Sequence, residues 1–138
     1  MSQHLLFHGT LLFLLGLING ALIPLFLNKR MGLSAHLAGV QNGLALIAFG
    51  LIWPHATVPL AGIAFWSALI SMYGIWFGLI LAAIWGTSKS TPIAGKGFAA
   101  TSWKENLVTV IIQSTSVAAI LATSLLLVGL YKNLDGIF

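Results

Sequence analysis

Four long runs of apolar residues, separated by short polar stretches, dominate the chain. A helix needs about 20 apolar residues to cross the hydrocarbon core of a membrane, and each run reaches that length. The pattern therefore predicts four membrane-spanning helices over residues 5–27, 34–53, 60–85 and 106–131. The connections are short except for residues 86–105. We expect one all-α domain over residues 1–138, an integral membrane four-helix bundle.

Polar side chains stand at two of the predicted helix starts. Ser34 opens the second run, and Asn106 opens the fourth with Glu105 beside it. Ser and Asn side chains accept hydrogen bonds from the free N–H groups of a first turn, and the helix dipole favours an acidic residue there. We therefore expect Ser34 and Asn106 to be N-caps.

The composition strengthens the membrane assignment and narrows the function. Of the 138 residues, 59% are hydrophobic and 6% are charged, whereas a soluble domain carries about 25% charged residues. The net charge of +4 comes from six scattered basic residues, which disfavours nucleic-acid binding. With no cysteine and two acidic residues, thiolate chemistry, iron–sulfur clusters and paired-carboxylate catalysis are excluded.

The basic residues are unevenly divided between the two sides of the predicted membrane domain. Five lie in the connections after the first and third helices, and Lys132 alone lies on the other side. The five are Lys29, Arg30, Lys89, Lys96 and Lys104. Cytoplasmic loops carry the excess of Lys and Arg, so we expect both connections in the cytoplasm and both termini outside. The expected location is a bacterial inner membrane.

Glycines four residues apart occur in the first three predicted helices. The pairs are Gly16 with Gly20, Gly39 with Gly43, and Gly74 with Gly78. Small residues at this spacing allow membrane helices to approach closely. Close helix packing is therefore their expected role.

Histidines are the ionisable side chains that fall within the predicted spans, since no Asp, Glu, Lys or Arg does. The missing membrane carboxylate disfavours an ion-coupled transporter. His36 is a candidate axial haem ligand, and the alternative is an interfacial histidine bonded to a backbone carbonyl. His8 is a weaker candidate, with a helix–helix hydrogen bond as the alternative. The predicted spans place these two histidines about 20–25 Å apart in depth, which disfavours a bis-histidine cytochrome.

Asn42 and Tyr73 are further candidates for contact with a substrate. Asn42 lies six residues after His36, so their side chains point about 120° apart on one helix. The two residues could serve a site between subunits, one from each chain. Tyr73 lies near the middle of the third helix, where its phenol can donate to a substrate oxygen. For both residues, an interhelical hydrogen bond is the alternative.

The segment over residues 30–43, RMGLSAHLAGVQNG, resembles the family of hydroxylaminobenzene mutases. TPIAG at residues 91–95 fits the same family. These mutases are similar in turn to the membrane styrene oxide isomerases, which also carry a His followed six residues later by Asn-Gly, and a His-Gly near the start of the first helix, here His8-Gly9.

The resemblance implies a specific site. It implies a homotrimer with haem b between neighbouring subunits, His36 as the axial ligand, and Asn42 and Tyr73 in contact with the substrate. The isomerases have an aspartate where this chain has Phe65, and that difference favours the mutase branch. Lys29 and Arg30 could then pair with the haem propionates, with anchoring at the cytoplasmic surface as the alternative.

Four functions follow as hypotheses. The first is a mutase that converts hydroxylaminobenzene, a small aromatic substrate, to 2-aminophenol with ferric haem as a Lewis acid. The second is an epoxide isomerase of the styrene oxide type. The third is a membrane subunit without enzymatic activity that carries haem or anchors a partner. The fourth is a small-molecule transporter, which the missing membrane carboxylate disfavours.

Overall fold

The computed structural model describes residues 1–134, and within that range it contains helices and no strand. The helices are α1 Ser2–Leu22, α2 Lys29–Ile52, α3 Ala61–Trp85, α4 Pro92–Gly95 and α5 Ser102–Leu134. Short 3₁₀ turns, Ile23–Leu25 and Trp53–His55, follow α1 and α2. The long helices α1, α2, α3 and α5 are apolar enough to span a membrane. The predicted all-α protein with four spans is therefore confirmed.

The second and fourth spans begin earlier than the apolar runs do. Asn28 caps α2, because its side chain accepts a hydrogen bond from the N–H of Met31 at 3.1 Å. Ser34 lies in the second turn, where its hydroxyl donates to the carbonyl of Arg30. The expectation that Ser34 is the N-cap is therefore wrong, because a buried Asn28 starts the helix about one and a half turns before the apolar run begins.

The start of α5 departs from the sequence prediction in the same way. This helix begins at Ser102, so Asn106 lies inside it and its side-chain oxygen accepts a hydrogen bond from Lys89 Nζ. The expectation that Asn106 is the N-cap is wrong. Glu105 does lie in the first turn, where an acidic side chain is favourable.

The long helices pack in a row rather than in a closed square. Helix α1 lies along α2, α2 packs against α3, and α3 packs against α5, whereas α1 meets α3 only slightly. A groove is therefore left between α1 and α3.

Glycines form the closest part of this row, at the crossing of α1 and α2. A Cβ added to Gly16 would lie 2.6 Å from the backbone nitrogen of Val40, and one added to Gly43 would lie 2.5 Å from that of Phe13. Gly74 and Gly78 face side chains of α5 in the same manner. The prediction that these glycines permit close helix packing is confirmed.

The connection between α3 and α5 folds over the start of α2. The Arg30 guanidinium donates to the carbonyl of Lys96, and Asn28 Nδ2 donates to that of Ala94 at 3.0 Å. Lys104 Nζ lies 5.4 Å from the ring centroid of Trp85. Both connections with basic residues thus lie at one end of the bundle, as the sequence pattern predicted.

Candidate functional site

The groove between α1 and α3 forms a cavity that is open on one side. Its volume is about 670 Å³. Its walls are mostly aliphatic and aromatic, with two imidazoles and one phenol: Leu11, Phe65, Trp66, Leu69, Ile70, His4, His8 and Tyr73. Trp66 and Ile70 are more than half exposed, so the groove opens towards the surroundings of the helices. An apolar cleft with few polar groups is suited to a small aromatic ligand.

Tyr73 and His8 meet at the polar side of the groove. The Tyr73 hydroxyl donates to the backbone carbonyl of His8 at 3.0 Å, and its oxygen lies 3.4 Å from His8 Nδ1. The two rings are edge to face, with centroids 5.9 Å apart. The sequence singled out both residues but gave no reason to pair them, because 65 residues separate them along the chain. For His8, the helix–helix hydrogen bond is the alternative that the structure shows.

Phe65 closes the other end of the groove with an aromatic cluster. Its ring is 8% exposed and meets Trp66, His4 and Trp53 edge to face at centroid distances of 5.3, 6.4 and 6.5 Å. An aspartate at this position would be a carboxylate among aromatic rings, which is costly without a partner. The groove is therefore aromatic at this end and, among the residues that the structure describes, has no carboxylate there.

Asn42 lies on the side of α2 that faces α3. Its side-chain nitrogen donates to the backbone carbonyl of Met72 at 2.9 Å, the residue before Tyr73. Asn42 does not line the groove. The structure thus shows an interhelical hydrogen bond at this residue, and it leaves the carbonyl oxygen of the side chain without a donor among residues 1–134.

His36 lies on a different side of α2, against α1. Its Nδ1 is 2.8 Å from the carbonyl oxygen of Gly16. A carbonyl oxygen only accepts, so Nδ1 must carry the proton, and Nε2 is left with a free lone pair. The space for the ring is provided by Gly20, where an added Cβ would lie 2.6 Å from His36 Nδ1.

The position of His36 revises its expected separation from His8. His36 packs between Gly16 and Gly20, which lie eight to twelve residues after His8, or about 12–18 Å along α1. The larger separation expected from the sequence is wrong, because α2 begins at Lys29 and carries His36 two turns deep. The described chain still offers no pair of histidines facing each other across a single haem.

The surroundings of His36 fit an axial haem ligand. Metal-bound histidines generally donate their second ring N–H to a carbonyl or carboxylate, and Gly16 O provides that acceptor. Lys29 lies two turns before His36, on the same side of α2, and its side chain is exposed. Arg30 is exposed and bound to the Lys96 carbonyl. Residues 1–134 contain no group of three or more His, Cys, Asp or Glu side chains that could together hold a metal ion.

Within one chain, the predicted site residues do not form a single site. Tyr73 lines the groove, whereas His36 and Asn42 lie outside it, on two different sides of α2. The aromatic end around Phe65 and the partnership of His8 with Tyr73 are the parts that sequence reasoning did not find. A helical period can place residues on faces of one helix, but it cannot say which faces of α1 and α3 meet.

The chain resembles known proteins over nearly its whole length. The sequence model of the family described as styrene oxide isomerase matches residues 1–131. Hydroxylaminobenzene mutase HabA of Ectopseudomonas oleovorans is 40% identical over 135 residues, which are 96% of this chain and 100% of that relative. Hydroxylaminobenzene mutase HabB of the same organism is 38% identical over 133 residues, which are 94% of this chain and 81% of that relative. No solved structure gives a significant match.

Proposed function

The chain belongs to the styrene oxide isomerase family and is a membrane-embedded isomerase, and we propose that it converts hydroxylaminobenzene to 2-aminophenol. The observation that carries this proposal is the full-length likeness to two enzymes named hydroxylaminobenzene mutase. The groove supports it, since a cavity of about 670 Å³ with aromatic walls accommodates a substituted benzene ring. Phe65 leaves one end of that groove aromatic and without a carboxylate at this position.

The groove residues have separate tasks in the proposed reaction. Phe65, Trp66 and Leu69 hold the ring and exclude water, which would otherwise compete for a reactive cationic ring. The Tyr73 hydroxyl donates its proton to the His8 carbonyl, so its oxygen accepts a hydrogen bond from the migrating hydroxyl group of the substrate. Asn42 lies outside the groove of its own chain, and we propose that its free side-chain oxygen accepts from the substrate N–H in a site between subunits.

His36 would hold ferric haem b through Nε2, with Lys29 and Arg30 placed to pair with its propionates. The haem iron, when bound, would supply Lewis acidity that polarises the N–O bond of the substrate. The hydrogen bond from Nδ1 to Gly16 fixes the orientation and the protonation state of the His36 ring. With His36 as its one protein ligand, the haem would remain able to bind the substrate.

We further propose that the protein is a homotrimer with the site between subunits. His36 and the groove occupy different parts of one chain, so a site that uses both is formed most simply by two neighbouring chains. We also propose that the termini lie outside the cytoplasm and that the membrane is a bacterial inner membrane. The orientation is supported by five of the six basic residues, which lie at the opposite end of the helices.

The test is an assay of the purified protein in detergent with hydroxylaminobenzene, combined with an absorption spectrum. We expect 2-aminophenol to form without any added reductant or oxidant, and a Soret band that is absent from the His36→Ala variant. An active wild-type protein without a Soret band would contradict the haem assignment. A His36→Ala variant with full haem content would contradict the ligand.

A second candidate function is epoxide isomerisation, which the match to the styrene oxide isomerase family favours. The same preparation is therefore assayed with styrene oxide. Aldehyde formation from the epoxide, with no turnover of hydroxylaminobenzene, would replace the first proposal by the second.

A further inference from the structure

We propose that His8 carries the proton that the rearrangement must move from the aromatic ring to nitrogen, an inference that rests on the proposed function. His8 is half-buried, lines the groove, and lies beside the Tyr73 hydroxyl. The other polar groups of the groove are Tyr73 and His4. His4 lies near the start of α1, at the end that contacts Phe65. His8 is therefore the imidazole next to the group that binds the migrating oxygen.

The hydrogen bonds around His8 leave one ring nitrogen available as a base. The Tyr73 hydroxyl donates its proton to the His8 backbone carbonyl, so its oxygen is free to accept from His8 Nδ1 at 3.4 Å. A neutral imidazole has one N–H, and if it resides on Nδ1 then Nε2 has the lone pair. No residue within 1–134 forms a hydrogen bond with His8 Nε2. This arrangement, in which one nitrogen is held and the other is free, is that of a histidine general base.

The reaction needs one group of this kind. The hydroxyl leaves nitrogen with the N–O electron pair and forms the C–O bond at the ortho carbon. The C–H electron pair of that carbon stays in the ring and restores aromaticity, while its proton goes to His8 Nε2. His8 then returns the proton to nitrogen, which completes the amino group. Atoms and electrons balance with no oxidant, reductant or water, so one neutral imidazole is sufficient.

The chemistry of the alternatives favours His8 over the other groups at the groove. Described acidic and lysine side chains lie at the ends of the helices, away from the groove. A phenol such as that of Tyr73 is a poor base near neutrality. An imidazole changes its protonation state in the neutral range, which suits a group that must both accept and release a proton.

The proposal is tested with the variants His8→Gln and His8→Ala in the detergent-solubilised protein. Both retain the backbone carbonyl that accepts from Tyr73, so they remove the imidazole and keep that hydrogen bond. We expect kcat for hydroxylaminobenzene to fall by about 100-fold or more with little change in KM. Substrate deuterated at both ortho positions should show a normal primary isotope effect in the variants that is absent from the wild type. Added imidazole should restore turnover in His8→Ala.

His55→Gln is the matched control, since His55 is exposed at the turn after α2, outside the groove. It should retain wild-type kcat and isotope effect. The thermal unfolding midpoint and the Soret absorbance report whether each variant is folded.

Two outcomes would overturn the proposal with the proposed function intact. One is a His8→Gln protein that turns over within a few-fold of the wild type. The other is a folded but slow variant with neither an isotope effect nor rescue by imidazole, which would leave His8 with only a structural role. A wild type inactive on hydroxylaminobenzene would overturn the proposed function, and this inference with it.

Discussion

His36 shows how a neighbouring glycine determines what a histidine can do. The ring occupies the space that a side chain at Gly20 would need, and its Nδ1 reaches the carbonyl of Gly16 at 2.8 Å. These two contacts fix the tautomer, so that Nε2 is the nitrogen available to a ligand. Gly20 therefore positions the proposed haem ligand through the space that it leaves for the ring.

Replacing Gly20 by alanine should weaken haem binding. The new Cβ would lie 2.6 Å from Nδ1 and 2.9 Å from Cε1 of His36, so the ring must move and its hydrogen bond to Gly16 must lengthen. Loss of such a supporting contact lowers metal affinity by about 10–100-fold. Titration of the haem-free protein with haemin, followed at the Soret band, measures the effect.

Gly62→Ala is the control for that substitution. Gly62 lies in the first turn of α3 with no atom within 4 Å of an added Cβ, so its haem affinity should equal that of the wild type. Equal haem affinities for Gly20→Ala and the wild type would show that the contact between Gly20 and His36 does not support haem binding.

At the scale of single residues, the sequence indicated the candidate residues better than it indicated their hydrogen-bond partners. Spacing within one helix predicted that His36 and Asn42 point in different directions, and the structure places them against α1 and α3 respectively. Tyr73 could be predicted only to need some partner. Its bond to His8 depends on where α1 and α3 meet, which no local pattern encodes.

Among the elements, the connection from α3 to α5 depends on one carboxylate. Glu105 accepts hydrogen bonds from the backbone N–H groups of Ser88, Lys89 and Ala100 at 2.9–3.1 Å. Both ends of the connection are thereby bound to the first turn of α5. Hydrogen bonds to a charged acceptor are stronger than neutral ones, so this side chain holds the loop in place.

Glu105→Ala should loosen the loop without unfolding the bundle. Three N–H groups lose their acceptor, at a cost of about 1.5–3 kcal/mol, while the packing of the long helices is unchanged. Trypsin should then cleave faster after Lys89 and Lys96, as measured on protein in detergent by mass spectrometry. Glu105→Gln keeps one acceptor oxygen, so its rate of cleavage should fall between those of the wild type and Glu105→Ala. Cleavage of Glu105→Ala at the wild-type rate would show that other contacts hold the loop.

The helices themselves could be predicted from their apolar length, but their starts could not. The polar run around Asn28 has the composition of a loop. Helix α2 nevertheless begins there, because Asn28 is fully buried and forms hydrogen bonds through both its backbone and its side chain. Its N–H donates to Ala83 O and its side chain donates to Ala94 O. Those partners are brought by α3 and the following loop, so the boundary is set by tertiary contacts and not by propensity.

At the scale of the whole molecule, the row of helices separates His36 from the groove, the two parts of the proposed site. The groove lies between α1 and α3, and the ring of His36 lies at the contact of α1 and α2, about two to three helical turns of α1 away from His8. A single chain therefore does not present His36 to its own groove. If both serve one reaction, the ligand of one chain must face the groove of a neighbour, as a closed symmetric oligomer allows.

Mixed oligomers test this arrangement directly. His36→Ala and Tyr73→Phe chains are each expected to be inactive as homotrimers, because every site lacks one residue. When the two are co-expressed with different affinity tags and purified through both, every mixed trimer has one interface in three with both residues intact, so about a third of the sites should be complete. Activity on hydroxylaminobenzene should therefore reappear in the mixed sample. Mixing His36→Ala chains with chains carrying both substitutions forms no intact site and serves as the control. If the first mixture is as inactive as the control, His36 and Tyr73 act within the same chain, and the helices must rearrange from the row described above for the two to meet.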